Sequence, residues 1–263
     1  MSNYLLYFFI FLFGLITGSF LNCIIYRLQT GGSFLKGRSF CPHCRHELSW
    51  QDLIPVLSFF ILRGKCRYCK KTISWQYPLV ELATGFLFLF PLLNIYTMVD
   101  LLRVVFWWVI CCFLIVIFVY DLKHYIIPDK VICPAIFIAL IYQLFINWKL
   151  AAGNLQPLLN PLLSAILASA FFLAIVLISR GKWMGVGDIK LAAFMSLFLG
   201  FPNILVALFL AFFIGAIIGL GLIFSGKRTL NSEVPFGPFL VLGTFIAFFW
   251  GSQINNWYFS LFL

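Results

Sequence analysis

The sequence predicts an all-α polytopic membrane protein of about eight transmembrane helices, with one small polar domain inserted between the first and second helices. Three observations support this fold class. The 263-residue chain is 63% hydrophobic and 10% charged, with a mean hydropathy of +1.05, which exceeds the apolar content of soluble domains. Long uncharged runs recur along its length. Residues 27–78, by contrast, are polar and rich in turn-forming residues.

The predicted helices are placed by length, because a bilayer crossing takes about 20 apolar residues whose backbone groups are satisfied within the segment. The first has no Lys or Arg before Arg27 and no small-residue cleavage site, so we expect it to stay as a helix. The sixth is short. The eight predicted spans are 4–26, 79–97, 101–120, 131–148, 160–179, 189–201, 203–224 and 236–260.

The basic residues predict the orientation. Only Arg103 and Lys149 lie on one side of the predicted spans. By the positive-inside rule the other, basic side is cytoplasmic, so both termini face outward. The net charge of +10 then reflects topology and attraction to anionic headgroups, and no nucleic-acid-binding motif accompanies it. The 16 remaining Lys and Arg residues fall in segments 27–78, 121–130, 180–190 and 227–228.

Two CxxC pairs, "CPHC" and "CRYC", lie in the polar segment with 21 residues between them. Four thiolates at this spacing are typical of a structural, tetrahedral Zn²⁺ site. Two disulfides are the alternative, which the reducing cytoplasmic side disfavours. The predicted zinc ligands are Cys41, Cys44, Cys66 and Cys69.

The polar segment holds nine basic and two acidic residues, so we expect it to lie on the lipid surface. The predicted division of the chain is a first transmembrane helix (1–26), a cytoplasmic zinc-binding domain inserted between the first and second helices (27–78) and a transmembrane core (79–263).

Two of the eight acidic residues lie at the cytoplasmic ends of predicted spans. Asp121 ends the third span in "VYDLKHYIIPD", and Asp188 opens the sixth in "GVGDIKL". Ionisable groups at such depth usually face a cavity and have a function. The alternatives are a helix N-cap for Asp188 or for Asp129, and an ordinary juxtamembrane residue for Asp121. Two carboxyl groups that converge on one water are the arrangement of aspartyl proteolysis.

The residues around Asp188 are expected to support such a site. Gly185 and Gly187 have no side chain and would let a substrate backbone approach closely. Lys190 follows within the same turn.

These motifs carry a resemblance. "GVGD" at 185–188 resembles the GxGD signature of membrane-embedded aspartyl proteases, and the whole chain is similar to the bacterial type IV prepilin peptidases, also called leader peptidases and N-methyltransferases. One small departure is Gln29, where that family often has Pro. The matching segments are "GSFLNCIIYRL" (18–28), both CxxC pairs, "YPLVELATG" (77–85), "DLKHYIIPD" (121–129), "GVGDIKL" (185–191) and "VPFGPFL" (234–240).

The resemblance implies an aspartyl endopeptidase of the bacterial inner membrane with its active site facing the cytoplasm. Its substrates would be type IV prepilins, or pseudopilins of type II secretion and competence systems, each with a basic leader and a hydrophobic helix. Cleavage would occur at a Gly–Phe type junction, followed by N-methylation of the new N-terminus with S-adenosylmethionine. The family's two catalytic aspartates correspond to Asp121 and Asp188.

The methyl-transfer residues are harder to place, because no Gly-rich dinucleotide-type fingerprint occurs in the chain. The resemblance makes Gly64, Lys65 and Glu81 the candidates. Their alternatives are structural: a turn, a solvated lysine, and a carboxylate interacting with a helix dipole.

Three other functions stay open on the sequence. A peptidase without methyltransferase activity is the nearest alternative. A proton-coupled transporter would also place two acids in a membrane cavity, but predicts internal repeats that are not evident. A zinc-anchored membrane scaffold would not explain two acids at similar depth.

Overall fold

The computed structural model describes residues 2–33, 37–91, 98–150, 156–226 and 234–261, and this part of the chain is almost entirely helical. Its only β-type pairings, within the described residues, are two isolated antiparallel bridges, Phe40 with Glu47 and Lys65 with Thr72. The predicted all-α class is therefore confirmed.

Eight long helices in the described ranges follow the order of the eight predicted spans. Five of them are long and apolar enough to cross a membrane, as a multi-pass membrane protein requires. A 3₁₀ turn (Trp50–Leu53) and one short helix, α2, lie in the polar segment and were not predicted. The helices are α1 (Ser2–Thr30), α2 (Leu57–Ile61), α3 (Gln76–Leu89), α4 (Met98–His124), α5 (Asp129–Leu150), α6 (Gln156–Ser179), α7 (Val186–Leu199), α8 (Asn203–Phe224) and α9 (Gly237–Ser260).

The count of eight crossings is approximate. Helices α3 and α7 have 14 residues each, or about 21 Å, which is shorter than a bilayer core of about 30 Å. The prediction that the sixth span is short agrees with α7. The end of the second predicted span, residues 92–97, lies outside the described residues.

The chain divides into two compact units, Met1–Val116 and Ile117–Leu263. Helix α4 contributes its first part to one unit and its last two turns to the other. The threefold division expected from the sequence stays a prediction.

In the first unit, α1 and α3 pack closely because glycines of α1 face the backbone of α3. A Cβ added at Gly14 would lie 2.7 Å from the Gly85 Cα, and one added at Gly18 would lie 2.7 Å from the Glu81 Cα. The hydrophobic effect does not drive helices together inside a bilayer, so membrane helices associate through van der Waals contacts, which a close backbone approach increases. Helix α4 is joined to α3 by the Trp107 indole, which donates to a backbone carbonyl 3.0 Å away.

Asp52 holds the polar segment of the first unit together. Its carboxylate accepts hydrogen bonds from the Arg67 guanidinium at 2.7 Å and from the Ser49 hydroxyl at 2.9 Å. Burial alone would raise the pKa of Asp52, but these hydrogen bonds outweigh it and lower the pKa below its usual value. The carboxylate thus links the 3₁₀ turn to the loop of the second cysteine pair.

In the second unit, the short α7 is surrounded by α5, α6, α8 and α9. Its Leu191, Phe194 and Met195 side chains are fully buried. At its far end, the Gln143 amide of α5 donates to the Leu197 carbonyl, and the Asn160 side chain of α6 accepts the Phe201 N–H at 2.7 Å. Neighbouring helices therefore fix both the position and the rotation of α7.

Candidate active site and metal centre

Asp188 lies in the first turn of α7 and is buried. Gly185 is the N-cap residue, and its backbone N–H donates to the Asp188 carboxylate at 3.1 Å. The N-cap alternative for Asp188 is therefore wrong in detail, because the residue stands at the third helical position and reaches back as the acid of a capping box does. One carboxylate oxygen is thereby held by the backbone of its own loop.

Asp121 lies in the last turn of α4 and is also buried. The backbone N–H of Gly237, the first residue of α9, donates to its carboxylate. A Cβ added at Gly237 would lie only 2.5 Å from Asp121 Oδ2. Asp121 and Asp188 both lie in the second unit, close enough for the charge of one to act on the other.

Ile127, in the short connection between α4 and α5, lies between two glycines of this site. A Cβ added at Gly187 would lie 3.0 Å from the Ile127 Cβ, and one added at Gly237 would lie 3.4 Å from the Ile127 Cδ1. The absence of side chains at Gly187 and Gly237 therefore allows three elements to meet beside the acids. Sequence reasoning assigned no role to Ile127 or Gly237, although both lie in the motifs "DLKHYIIPD" and "VPFGPFL".

An ion pair joins two helices in the same region. Asp129 is the first residue of α5, and its carboxylate lies 2.6 Å from the Nζ of Lys190 on α7. The N-cap alternative for Asp129 is wrong, because Pro128 precedes the helix and its carbonyl accepts the Val131 N–H at 2.9 Å. The pair joins the start of α5 to α7 two residues after Asp188.

This arrangement suits acid–base chemistry on a peptide bond. Two neighbouring buried carboxyl groups resist simultaneous ionisation, so one can act as base while the other keeps its proton. Gly185 leaves the surface next to Asp188 free of side-chain bulk, whereas the space beside Gly187 is taken by Ile127.

The second cluster, in the first unit, consists of the four predicted cysteines. Their Sγ atoms all lie within 4.8 Å of one another, and those of Cys41 and Cys69 are 3.9 Å apart. A tetrahedral Zn²⁺ with Zn–S bonds of about 2.3 Å has sulfur atoms about 3.8 Å apart, so the donor set fits such an ion.

The two cysteine loops have the same backbone geometry. The Arg45 N–H donates to the Cys41 carbonyl at 2.8 Å, and the Lys70 N–H donates to the Cys66 carbonyl at 3.0 Å. Arg45 and Lys70 both adopt positive φ, 58° and 59°. Two matching turns thus aim two thiols each at one point.

The thiols of the cluster compete for ionisation. Burial opposes ionisation of Cys41, but backbone hydrogen bonds from Cys44 and His43 outweigh it and lower the pKa of Cys41 to about 7. The His46 backbone N–H favours the Cys44 thiolate, yet burial and the neighbouring thiols Cys41 and Cys69 raise the pKa of Cys44 to about 11. A bound dication would remove this conflict.

The three methyl-transfer candidates lie in the first unit. Gly64 has a φ of +66°, and its Cβ position is 3.2 Å from the Phe59 ring. Lys65 is exposed and forms one of the isolated bridges. Glu81 is buried, and its carboxylate accepts the Val56 N–H at 2.8 Å. Each of the three therefore has a structural contact of its own.

Comparison with known families separates the chain into two matches. Residues 12–95 match the Bacterial Peptidase A24 N-terminal domain, and residues 108–220 match the Type IV leader peptidase family. The first match contains the cysteine cluster, and the second contains both acids.

Curated relatives match nearly the whole chain. The prepilin leader peptidase/N-methyltransferase of Aeromonas hydrophila is 30% identical over 282 residues, which cover 97% of this chain and 94% of the relative. The protein of that name from Bacillus subtilis (strain 168) is 32% identical over 255 residues, 96% of this chain and 97% of the relative. The one from Legionella pneumophila is 31% identical over 273 residues, 94% and 92%. No solved structure matches significantly.

Proposed function

The chain belongs to the type IV leader peptidase family, and we propose that it is a membrane-embedded aspartyl endopeptidase that removes the leader of type IV prepilins or pseudopilins. One observation carries the chemistry: Asp121 and Asp188, 67 residues apart in sequence, are both buried and lie close enough for the charge of one to act on the other. The names of the relatives supply the substrate class.

In the proposed reaction, Asp121 and Asp188 share one proton. The ionised carboxylate takes a proton from a water molecule, whose oxygen bonds to the peptide carbonyl carbon, while the protonated partner donates to the carbonyl oxygen. In the second step the first acid gives its proton to the leaving nitrogen as the C–N bond breaks, and a hydroxyl proton of the intermediate returns to its partner. The backbone N–H groups of Gly185 and Gly237 hold the carboxylates in place for both steps.

The site is proposed to face the cytoplasm of the bacterial inner membrane. The connection that leads into α7 carries Arg180 and Lys182, while Lys123 lies in the last turn of α4 and Lys130 in the first turn of α5, as positive-inside topology requires of cytoplasmic ends. A prepilin whose hydrophobic helix lies in the bilayer would present its basic leader on that side.

We further propose that the chain methylates the new N-terminus and holds one structural Zn²⁺ in its four-cysteine cluster. S-adenosylmethionine would supply the methyl group to the freed amine, with S-adenosylhomocysteine as the leaving group and loss of one amine proton. Gly64 and Lys65, next to the ligand Cys66, remain the candidates for this step. Glu81 is better explained as a structural residue, because its carboxylate is engaged by the Val56 N–H.

The test uses purified full-length protein in vesicles and a prepilin-type peptide read by mass spectrometry, with and without S-adenosylmethionine. Asp121→Asn and Asp188→Asn should each abolish cleavage, because an amide cannot exchange the proton that the reaction needs. Glu47→Gln, an exposed acid of the polar segment, is the control and should cleave normally. Normal cleavage by either aspartate variant would contradict the assignment.

The same preparation separates the two activities. If methyl transfer uses a separate site, both aspartate variants should still methylate a pre-cleaved peptide, and Lys65→Ala should cleave normally but methylate poorly. Loss of methylation in folded aspartate variants would instead point to one shared site. Cleavage without any methylation by the wild-type chain would favour the peptidase-only alternative.

A further inference from the structure

Helix α2 in the polar segment presents its apolar residues to the outside. Leu57, Phe60 and Ile61 lie on one face, at i, i+3 and i+4, and are 59%, 58% and 72% exposed. The side chain that packs inward is Phe59, 7% exposed, whose ring centroid lies 4.8 Å from that of Trp75. A helix that covers a soluble core buries its apolar face, whereas α2 exposes this one.

The depth of α2 follows from its attachment to two long helices. Its N-cap residue, Val56, donates to the Glu81 carboxylate of α3 at 2.8 Å, and the Ser19 hydroxyl of α1 bonds to the same carboxylate. Ser19 lies within the candidate span Tyr4–Thr30 and precedes Arg27, the basic residue of the last turn of α1, by eight residues, or roughly 12 Å. The start of α2 therefore lies beside the apolar part of a membrane helix.

The surroundings of α2 have the chemistry of a bilayer interface. Trp50 begins the 3₁₀ turn before α2, Trp75 directly precedes α3, and both are exposed. Trp is enriched at the boundary between acyl chains and headgroups. Arg63 and Lys65 follow α2 directly and are exposed. Basic side chains beside an apolar face complement anionic phospholipids.

We infer that α2 is an interfacial anchor, whose Leu57, Phe60 and Ile61 side chains insert among phospholipid acyl chains in the leaflet where α1 and α3 emerge. Interfacial helices bury their apolar face about 5–10 Å into the headgroup and acyl boundary. The Val56–Glu81 hydrogen bond sets this depth by tying the anchor to α3. The inference does not depend on the peptidase assignment.

Site-specific photo-crosslinking tests this occupant. The full-length chain, with the photoreactive residue p-benzoyl-phenylalanine in place of Phe60, is reconstituted without substrate into vesicles of phosphatidylethanolamine and phosphatidylglycerol. After irradiation, the peptide that contains position 60 should carry the added mass of one phospholipid. The probe in place of the exposed Lys71, in the second cysteine loop, is the control and should carry none.

Three results would overturn the anchor: a crosslink from position 60 to another segment of the chain, a crosslink to a second copy, or no adduct at all. The probe in place of Ile61 repeats the measurement independently and should give the same lipid adduct. Equal lipid labelling at Lys71 would also count against it, because the whole segment would then contact lipid without a specific anchor.

Discussion

A single methyl group at Gly237 should disable the proposed active site without unfolding the protein. The Cβ of Gly237→Ala would lie 2.5 Å from Asp121 Oδ2, whereas ordinary van der Waals contact begins at about 3.4 Å. The carboxylate would have to move by roughly 0.9 Å. It lies at the end of a side chain and can move, so the fold should survive while the acid leaves its position.

The expected size of the effect follows from that displacement. A misplacement of about 1 Å at a reacting group costs on the order of 10²-fold in rate. This corresponds to about 2.7 kcal/mol of activation free energy. Because the displaced carboxyl group takes part in the proposed proton transfer, the loss should appear in kcat.

The matched control is Gly219→Ala on α8, where an added Cβ meets nothing within 4 Å. Both variants are assayed in vesicles with a prepilin-type peptide under single-turnover conditions, and thermal unfolding checks that each is folded. Gly237→Ala added to Asp121→Asn should cause no further loss, since the two changes act on one group. A folded Gly237→Ala protein that cleaves at the wild-type rate would refute the placement of Asp121 in the reaction.

Two further predictions test the ion pair and the metal site. Lys190→Asp should slow peptide cleavage roughly tenfold, because it releases α7 from the start of α5. The charge-swapped double variant, Asp129→Lys with Lys190→Asp, should recover part of that loss. If it recovers none, Lys190 has a role that does not depend on Asp129. Metal analysis should find one zinc per wild-type chain. The Cys66→Ser variant should lose this zinc, and residues 37–75 should then become the first target of limited proteolysis. The control, Cys133→Ser, lies outside the cluster and should keep both zinc and protease resistance. Zinc retained at full stoichiometry in Cys66→Ser would remove that cysteine from the ligand set.

Features that depend on local pattern were predictable from the sequence. Hydropathy located the long helices, because a segment that crosses lipid must be apolar and must satisfy its backbone hydrogen bonds within itself. Helix ends were less accurate: α1 continues to Thr30 and α4 to His124, beyond the predicted 26 and 120, because a helix can extend into water while hydropathy marks only the bilayer. The CxxC spacing likewise predicted a cluster, because each pair needs only one local turn.

Contacts between distant segments were not predictable in the same way. The ion pair of Asp129 and Lys190 joins residues 61 positions apart. The sequence offered a helix N-cap for Asp129 and a supporting residue near Asp188 for Lys190, but not their pairing. Ile127 is one of many apolar residues, and only the packing of α7 and α9 against it gives Gly187 and Gly237 their importance. In both cases the role of a residue depends on which helices pack together. Local patterns in a single sequence do not reveal that packing.

The shortness of α7 explains how two acids can be held at the edge of a membrane protein's core. A 14-residue helix is about 21 Å long and does not cross a bilayer core of about 30 Å, so at least one of its ends lies below a membrane surface. Because α5, α6, α8 and α9 pack against α7, the Asp188 side chain in its first turn is buried in protein, although Gly185 and Val186 beside it are exposed. The N–H of Gly185 can then hold Asp188, and the start of α9 can hold Asp121. Burial of both carboxyl groups out of bulk water lowers the effective dielectric around them, so the charge of one acid acts on the other.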